Sequence, residues 1–385
     1  MTGQRAYLDY NASAPLLPEA RAAMLAALET DANPSSVHAE GRAARKLVED
    51  ARREVAALVN GKPEHVVFSS GATEAASMLL TPDWQMGRGK VRMARLYVSA
   101  ADHPCLLNGG RFPKDRVETF SVDNEGIADL AALEAALARH DRAEGLPLVA
   151  IHLANNESGV IQPIDRIAAI VKASGGVLVV DAVQAAGRIP TDITASCGDY
   201  LILSSHKIGG PKGAGAIVAL SDLMMPAPLV TGGGQEKGHR AGTENLAAIA
   251  GFGAAAKVAK AGLAEMDRVL ALRSVLEDIV RSLAPDAEIY GRAVQRLPNT
   301  LFFSVPGLKA ETAQIAFDLA GVALSAGSAC SSGKVGPSHV LKAMGRGDNA
   351  GALRVSIGPA TRQRDTERFA QALGSILARR AGKAA

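Results

Sequence analysis

The chain has 385 residues, 48% hydrophobic and 21% charged, with 42 basic and 39 acidic side chains for a formal net charge of +3. That length exceeds what one hydrophobic core usually supports, so two domains are expected. The balanced charge, with no basic tract interleaved with aromatics, gives nucleic-acid binding no footing. No apolar run approaches a bilayer span, and Met1–Tyr10 lacks a basic segment followed by an apolar core, so a cytoplasmic protein with no membrane contact is expected.

From the N-terminus, residues 37–59 are predicted helical, because Ala44, Leu47, Val48, Ala51, Val55, Leu58 and Val59 recur at three- and four-residue steps. Val66–Ser69 is predicted to be a strand that turns through Ser70-Gly71-Ala72-Thr73 into a helix starting near Glu74. Leu96–Ala100, Leu148–Ala154, Val177–Val180, Leu201–Leu203 and Ala216–Leu220 are short apolar runs, with a helix at Ile164–Ala173 between two of them. Doubly buried strands alternating with helices predict a mainly parallel α/β sheet. Residues 246–282 read as long helix. Beyond them come a strand (Thr300–Val305), a helix (Ala310–Leu319), two strands (Val322–Ser325, Leu353–Ser356) and a closing helix. The expected division is a large domain over 13–255 and a smaller α+β domain from 1–12 and 256–385.

Several patterns are discarded. Gly251-Phe252-Gly253 and Gly345-Arg346-Gly347 fit a loose dinucleotide fingerprint, but neither follows a buried strand. Asn11-Ala12-Ser13 and Asn156-Glu157-Ser158 match the glycosylation triplet without a secretory signal. Cys105, Cys197 and Cys330 are odd in number and widely spaced, which argues against both a disulfide framework and a zinc site.

The chemistry concentrates in four places. Ser204-Ser205-His206-Lys207 ends a buried strand and runs into the Gly-rich turn Gly209-Gly210-Pro211-Lys212-Gly213. Ligands of open α/β sheets gather at such strand ends, where a desolvated lysine can form a Schiff base with a cofactor aldehyde. Asp181 ends the preceding apolar strand, where a carboxylate can keep a pyridine nitrogen protonated. The turn around Thr73 offers hydroxyls and free N–H groups at a helix N-terminus, which suits a phosphate. His103 follows another strand and could stack on a ring or move protons. Each residue has a bland alternative: a solvated lysine, a capping aspartate, an empty turn, a structural histidine. It is their co-occurrence that favours pyridoxal 5'-phosphate.

The segment Ser-Ser-His-Lys-Ile-Gly-Gly-Pro-Lys-Gly resembles the cofactor-lysine segment of cysteine desulfurases of the NifS/IscS type, pyridoxal-phosphate enzymes of fold type I. The resemblance continues, in the family's order, through Tyr7–Ala12, Asn33–His38, Ser70–Glu74, Asn155–Glu157, His239–Thr243 and Ser328–Ser332. It implies that Lys207 carries the cofactor, Asp181 meets the ring nitrogen, Gln184 the ring hydroxyl, and His103 stacks on the ring. Ala72, Thr73, Ser204 and His206 would hold the phosphate, with Ser205 and Asn156 also among the cofactor-binding residues. Thr243 would reach the cofactor of a second subunit, which requires a homodimer. Asn33, Asn156 and Arg354 would bind the substrate L-cysteine, Arg354 as a bidentate fork on its carboxylate.

Cys330 would take the sulfur as a persulfide, leaving L-alanine, and pass it to an acceptor such as an iron–sulfur scaffold, with which it could transiently share a metal. It lies in Leu324–Lys334, whose Ser, Ala and Gly flanks suit an exposed, reactive thiol and resemble the longer loop (about 325–336) of the family's first class. The departures are small. Ser13 stands where many relatives have Thr, and Ser205 where Gly or Ala is frequent. Cys105 is outside the pattern and reads as a packing residue. A selenocysteine lyase or another enzyme of this fold is the alternative. A cofactor-free assembly subunit would be expected to lose Lys207 or its supporting groups, and all are present.

Overall fold

The computed structural model describes residues 5–195, 198–327, 337–347 and 351–384. The expected sulfur acceptor Cys330 and also Cys197 lie outside the described residues.

The larger sheet has nine strands. Its centre is parallel: Gly89–Ser99 pairs with Leu146–His152, that strand with Val177–Asp181, and that one with Tyr200–Ser204, while Val117–Phe120 also runs parallel to Gly89–Ser99. Antiparallel strands complete both sides. Gly215–Ala219 and then Val66–Ser69 extend one flank; Asp83–Met86 and Met224–Pro226 extend the other. Val177–Asp181 and Tyr200–Ser204 are buried along their whole length, and Leu146–His152 from its second residue onward, as expected of a sheet covered on both faces. Parallel pairing has a direct consequence for function. It brings Ser99, His152, Asp181 and Ser204, each the last residue of its strand, to one edge, and Ser69 joins them.

Helices cover the sheet. In Ala39–Leu58, Ala44, Val48, Ala51 and Val55 face inward, and the His38 ring caps the first turn by accepting from Gly41 N. Leu246–Ala261 packs across it. A Cβ at Gly253 would come within 2.5 Å of the Ala51 Cα, so this glycine sets how closely the two helices approach. The Gly251-Phe252-Gly253 pattern is thus a helix-packing device. Leu246–Leu283, almost continuously helical, is long and apolar enough by length and composition to cross a membrane, contrary to the sequence expectation. Its first half nevertheless buries Ala248, Ile249, Phe252, Ala255 and Ala256 in the protein core.

The second core gathers Leu8, Val269, Leu276, Phe303, Phe317, Val355 and Phe369, with the Phe317 and Phe369 rings stacked at 5.4 Å. Its sheet runs in the order Glu288–Ile289, Thr300–Ser304, Leu353–Ser356, Ser325–Ala326. The strand expected over 322–325 is divided. Val322–Ala323 pairs with Ala6–Tyr7, Ser325–Ala326 pairs with Leu353–Arg354, and Leu324 is buried between.

Candidate active site

A cavity of about 570 Å³ opens at the carboxyl edge of the larger sheet. Ala72, Thr73, His103, Asn156, Asp181, Gln184, Ser204, His206 and Lys207, all expected from the sequence, line it. The strand ending at Ser204 passes into a single 3-10 turn, Ser205–Lys207. Ser205 O accepts from Ile208 N and Gly210 N, and Gly209 takes a φ of +85°, so the chain reverses just after Lys207. Lys207 Nζ donates to the carbonyls of Asn11 at 2.7 Å and Ala12 at 3.0 Å.

Asp181 is buried and its Oδ1 accepts from Val183 N at 3.0 Å. The Cys105 thiol lies 4.0 Å from its Oδ2. Burial pushes the Asp181 carboxyl up to about 6, with nearby Asp102 adding and His152 and Lys207 opposing. A cation hydrogen-bonded to this carboxylate would relieve that penalty. His103 Nδ1 accepts from Cys105 N at 3.2 Å, which leaves the ring proton on Nε2. Burial, then the charge of Lys207, lowers its pKa to about 4, so the imidazole is neutral. The same two causes bring His206 to about 4.

Facing these groups is the N-terminus of the helix Ala72–Leu79. Gly71 precedes it at φ +156°, and a Cβ built there would meet nothing within 4 Å. Gly215 would place a Cβ 2.6 Å from the Gly71 Cα, so two backbones cross where side chains could not. Glu74 fixes the turn: Oε2 accepts from Ser70 N, and Oε1 from Arg240 Nε, each at 2.9 Å. Ser204, His206 and Lys212 complete this part of the wall.

The remaining expected residues lie elsewhere. Ser205 is not on the cavity wall. It is fully buried, and a Cβ at Gly210 would lie 2.1 Å from its Oγ, so it faces the turn it helps to build. Asn33 is exposed and accepts from Ser35 N at 2.8 Å, closing its own turn outside the cavity. Thr243 is exposed and also outside it. Arg354 is buried beside the cavity without lining it, because its register opposite Phe302 directs it inward. Its guanidinium donates to Asp9 Oδ1 at 2.8 Å and to Asn156 O at 3.0 Å.

Sequence reasoning assigned no role to Asn11, His152 or Arg188. Asn11 is fully buried. Its carbonyl accepts from Lys207 and Gln184, and its side chain bonds Asn156 O, Thr300 and Asn299. Arg188 donates to the carbonyls of Gln184, Tyr10 and Lys207. His152 lines the cavity with Nδ1 held 2.5 Å from Asp102 Oδ1. Its position at the end of an apolar strand was the available signal.

The wall fits a phosphorylated pyridine aldehyde. It offers the amine of Lys207 at the strand end, the buried Asp181 carboxylate with a raised pKa, the neutral His103 imidazole and a helix N-terminus without an obstructing Cβ.

A family model described as aminotransferase class-V matches residues 6–369. A cysteine desulfurase of Frankia sp. (strain EuIK1) is 39% identical over 373 residues, covering 92% of this chain and 87% of the relative. Cysteine desulfurase IscS 1 of Archaeoglobus fulgidus is 35% identical over 97% of both chains. The crystal structure of a NifS-like protein from Rickettsia africae superposes with a TM-score of 0.86 at 32% identity, covering 97% of this chain and 99% of that one.

Proposed function

The chain belongs to the class-V aminotransferase family, and from that membership and the cavity around Lys207 we infer that it is a cysteine desulfurase dependent on pyridoxal 5'-phosphate. The observation that carries this reading is the meeting of Lys207, Asp181 and His103 in one cavity with the N-terminus of the helix Ala72–Leu79. The overall reaction is L-cysteine plus an enzyme thiol giving L-alanine plus an enzyme persulfide. The Cβ–S bond breaks, an S–S bond forms, and the carbon keeps the electron pair and takes one proton, so no outside oxidant or reductant is needed.

Bound pyridoxal phosphate supplies an electron sink for breaking the Cα–H and Cβ–S bonds. Lys207 would hold it covalently and move the Cα proton on Nζ. Asp181 would pair with its ring nitrogen, Gln184 with its hydroxyl, and His103 would stack on the ring and deliver protons from Nε2. Ala72, Thr73, Ser204 and His206 would hold the phosphate. Asn156 and Arg354 would orient the amino acid, with Arg354 exchanging its Asp9 contact for the substrate carboxylate. Cys330 is the thiol that would accept the sulfur.

The functional unit would be a homodimer in which Thr243 completes the second subunit's site; its exposure outside its own cavity supports this. An iron–sulfur scaffold in the cytoplasm is the proposed acceptor, with Cys330 a transient iron ligand during transfer. The test is alanine formation from cysteine by the loaded enzyme, compared with the Lys207→Ala variant. Alanine from the wild type and none from the variant is expected; equal rates would refute the reading.

A further inference from the structure

Gln184 and Arg188 follow the strand Val177–Asp181 in a helical turn, where Ala186 N and Ile189 N donate to Ala182 O and Ala185 O. Residues four apart in such a turn share one side, and the two side chains meet there. Arg188 Nη1 donates to Gln184 Oε1 and, at 2.9 Å, to Gln184 O. Gln184 Nε2 donates to Asn11 O at 3.0 Å. A guanidinium only donates and a carbonyl only accepts, so these contacts leave the amide one orientation. Oε1 is turned to Arg188, and one N–H of Nε2 remains for the cavity that Gln184 lines. Arg188 is buried and does not itself line that cavity. Its Nη2 donates to Tyr10 O and Lys207 O, both at 3.3 Å, so among the described residues its hydrogen-bond partners are neutral oxygens. The charged groups around it are Lys207 and His206 of the turn Ser205–Lys207, and Arg354 of the strand Leu353–Ser356, which is paired with Asp9.

We propose that Arg188 is a positioning residue for the bound cofactor: it fixes Gln184 as a hydrogen-bond donor to the ring hydroxyl oxygen and sets a buried positive charge behind that donor. This rests on the reading of Lys207 as the cofactor's anchor. A reversed amide would set Oε1 against the ring oxygen, two acceptors with no proton between them once that oxygen is ionised. Burial, then the charge of Arg354, lowers the Arg188 pKa to about 9, so the guanidinium is still charged at neutral pH. A lysine starts about two units lower and would give up its proton near neutral pH under the same burial. A cation buried among neutral oxygens costs stability that an apolar side chain would not. Its contribution to the site is electrostatic. The donor and the charge act in one direction: both favour the ionised ring oxygen, and both oppose a proton on the nitrogen that joins Lys207 to the cofactor.

The test uses wild-type, Arg188→Met and Arg188→Gln holoenzymes without substrate. The visible absorbance of the cofactor bound to Lys207 is titrated with pH, and its midpoint and the fraction of sites loaded are read on the same samples. Arg188→Met, which removes the charge and frees the Gln184 amide, should raise the midpoint by about one pH unit or more. Arg188→Gln keeps an N–H for Gln184 without the charge and should raise it by less. A merely structural guanidinium would alter urea-unfolding stability and leave the midpoint in place. A midpoint in loaded Arg188→Met within about 0.2 unit of wild type, or below it, overturns the proposal. If Arg188→Met does not fold or does not load, Arg188→Gln decides by the same criterion. A wild-type spectrum without a visible band that Lys207→Ala abolishes would instead overturn the reading of Lys207 itself, and the role of Arg188 with it.

Discussion

Lys207 Nζ donates to the main-chain carbonyl of Asn11 at 2.7 Å, although 196 positions separate them. The contact joins the amine at the sheet edge to a residue whose side chain is bonded to Thr300 and Asn299 of the smaller sheet's strand region. Asn11 thereby couples the placement of the lysine to the contact between the two cores.

Asn11→Ala removes three side-chain hydrogen bonds at a fully buried position. It leaves the Asn299 amide short of a partner. A loss of about 2–3 kcal/mol in urea-unfolding stability is expected, together with weaker cofactor retention on dialysis. Unchanged retention would separate Asn11 from the site.

The cofactor-free protein should lose stability on acidification. His103 and His206 have native pKa values of about 4, below the usual histidine value of about 6.5. Between those values the unfolded chain binds their protons and the native chain does not, so stability falls as pH falls through 6.5 towards 4. Asp181, raised to about 6, acts oppositely below that pH. His103→Asn should therefore reduce the drop in unfolding free energy between pH 7 and 5 by about 1–2 kcal/mol, measured by denaturant titration at both pH values.

Glu236 accepts from both terminal nitrogens of buried Arg52 at 2.8 Å and from Phe68 N, also at 2.8 Å. Phe68 directly precedes the Ser69–Thr73 turn. Glu236→Ala leaves the buried Arg52 guanidinium with only the Val66 carbonyl and Glu49 as partners and removes the acceptor of the Phe68 N–H. A destabilisation of about 3–5 kcal/mol is expected, visible as a lower denaturation midpoint. Glu236 and Lys237 hold φ of +47° and +57°, so replacements at 236 also face backbone strain.

Arg354→Lys retains the charge but loses the fork that holds Asp9 and Asn156 together. Steady-state kinetics should show KM for cysteine rising by roughly tenfold or more with a smaller change in kcat. An unchanged KM would leave Arg354 a structural partner of Asp9.

The cavity was legible where a buried strand ends in a polar residue. Asp181 and Ser204 follow unbroken apolar runs, and parallel pairing brings such ends together. Asn11 was not, because its role depends on partners from distant segments and no local period marks it. Ser205 has the same residue type as Ser204, but the 3-10 turn rotates it away, and only the turn's geometry reveals that. The inward direction of Arg354 follows from its register with Phe302. Asn33 and Thr243 lie outside their own chain's cavity, so motif position alone could not place them. The glycines of Gly251-Phe252-Gly253 serve helix packing, which a spacing pattern cannot distinguish from phosphate binding.

The most direct test of sulfur transfer to Cys330 is a single-turnover reaction of the loaded enzyme with cysteine, with alanine quantified and every cysteine-containing peptide mapped by mass. One added sulfur atom on the Cys330 peptide, in step with alanine, and its loss in Cys330→Ala are the expected results. Alanine and sulfide released by Cys330→Ala at the wild-type rate would contradict the account.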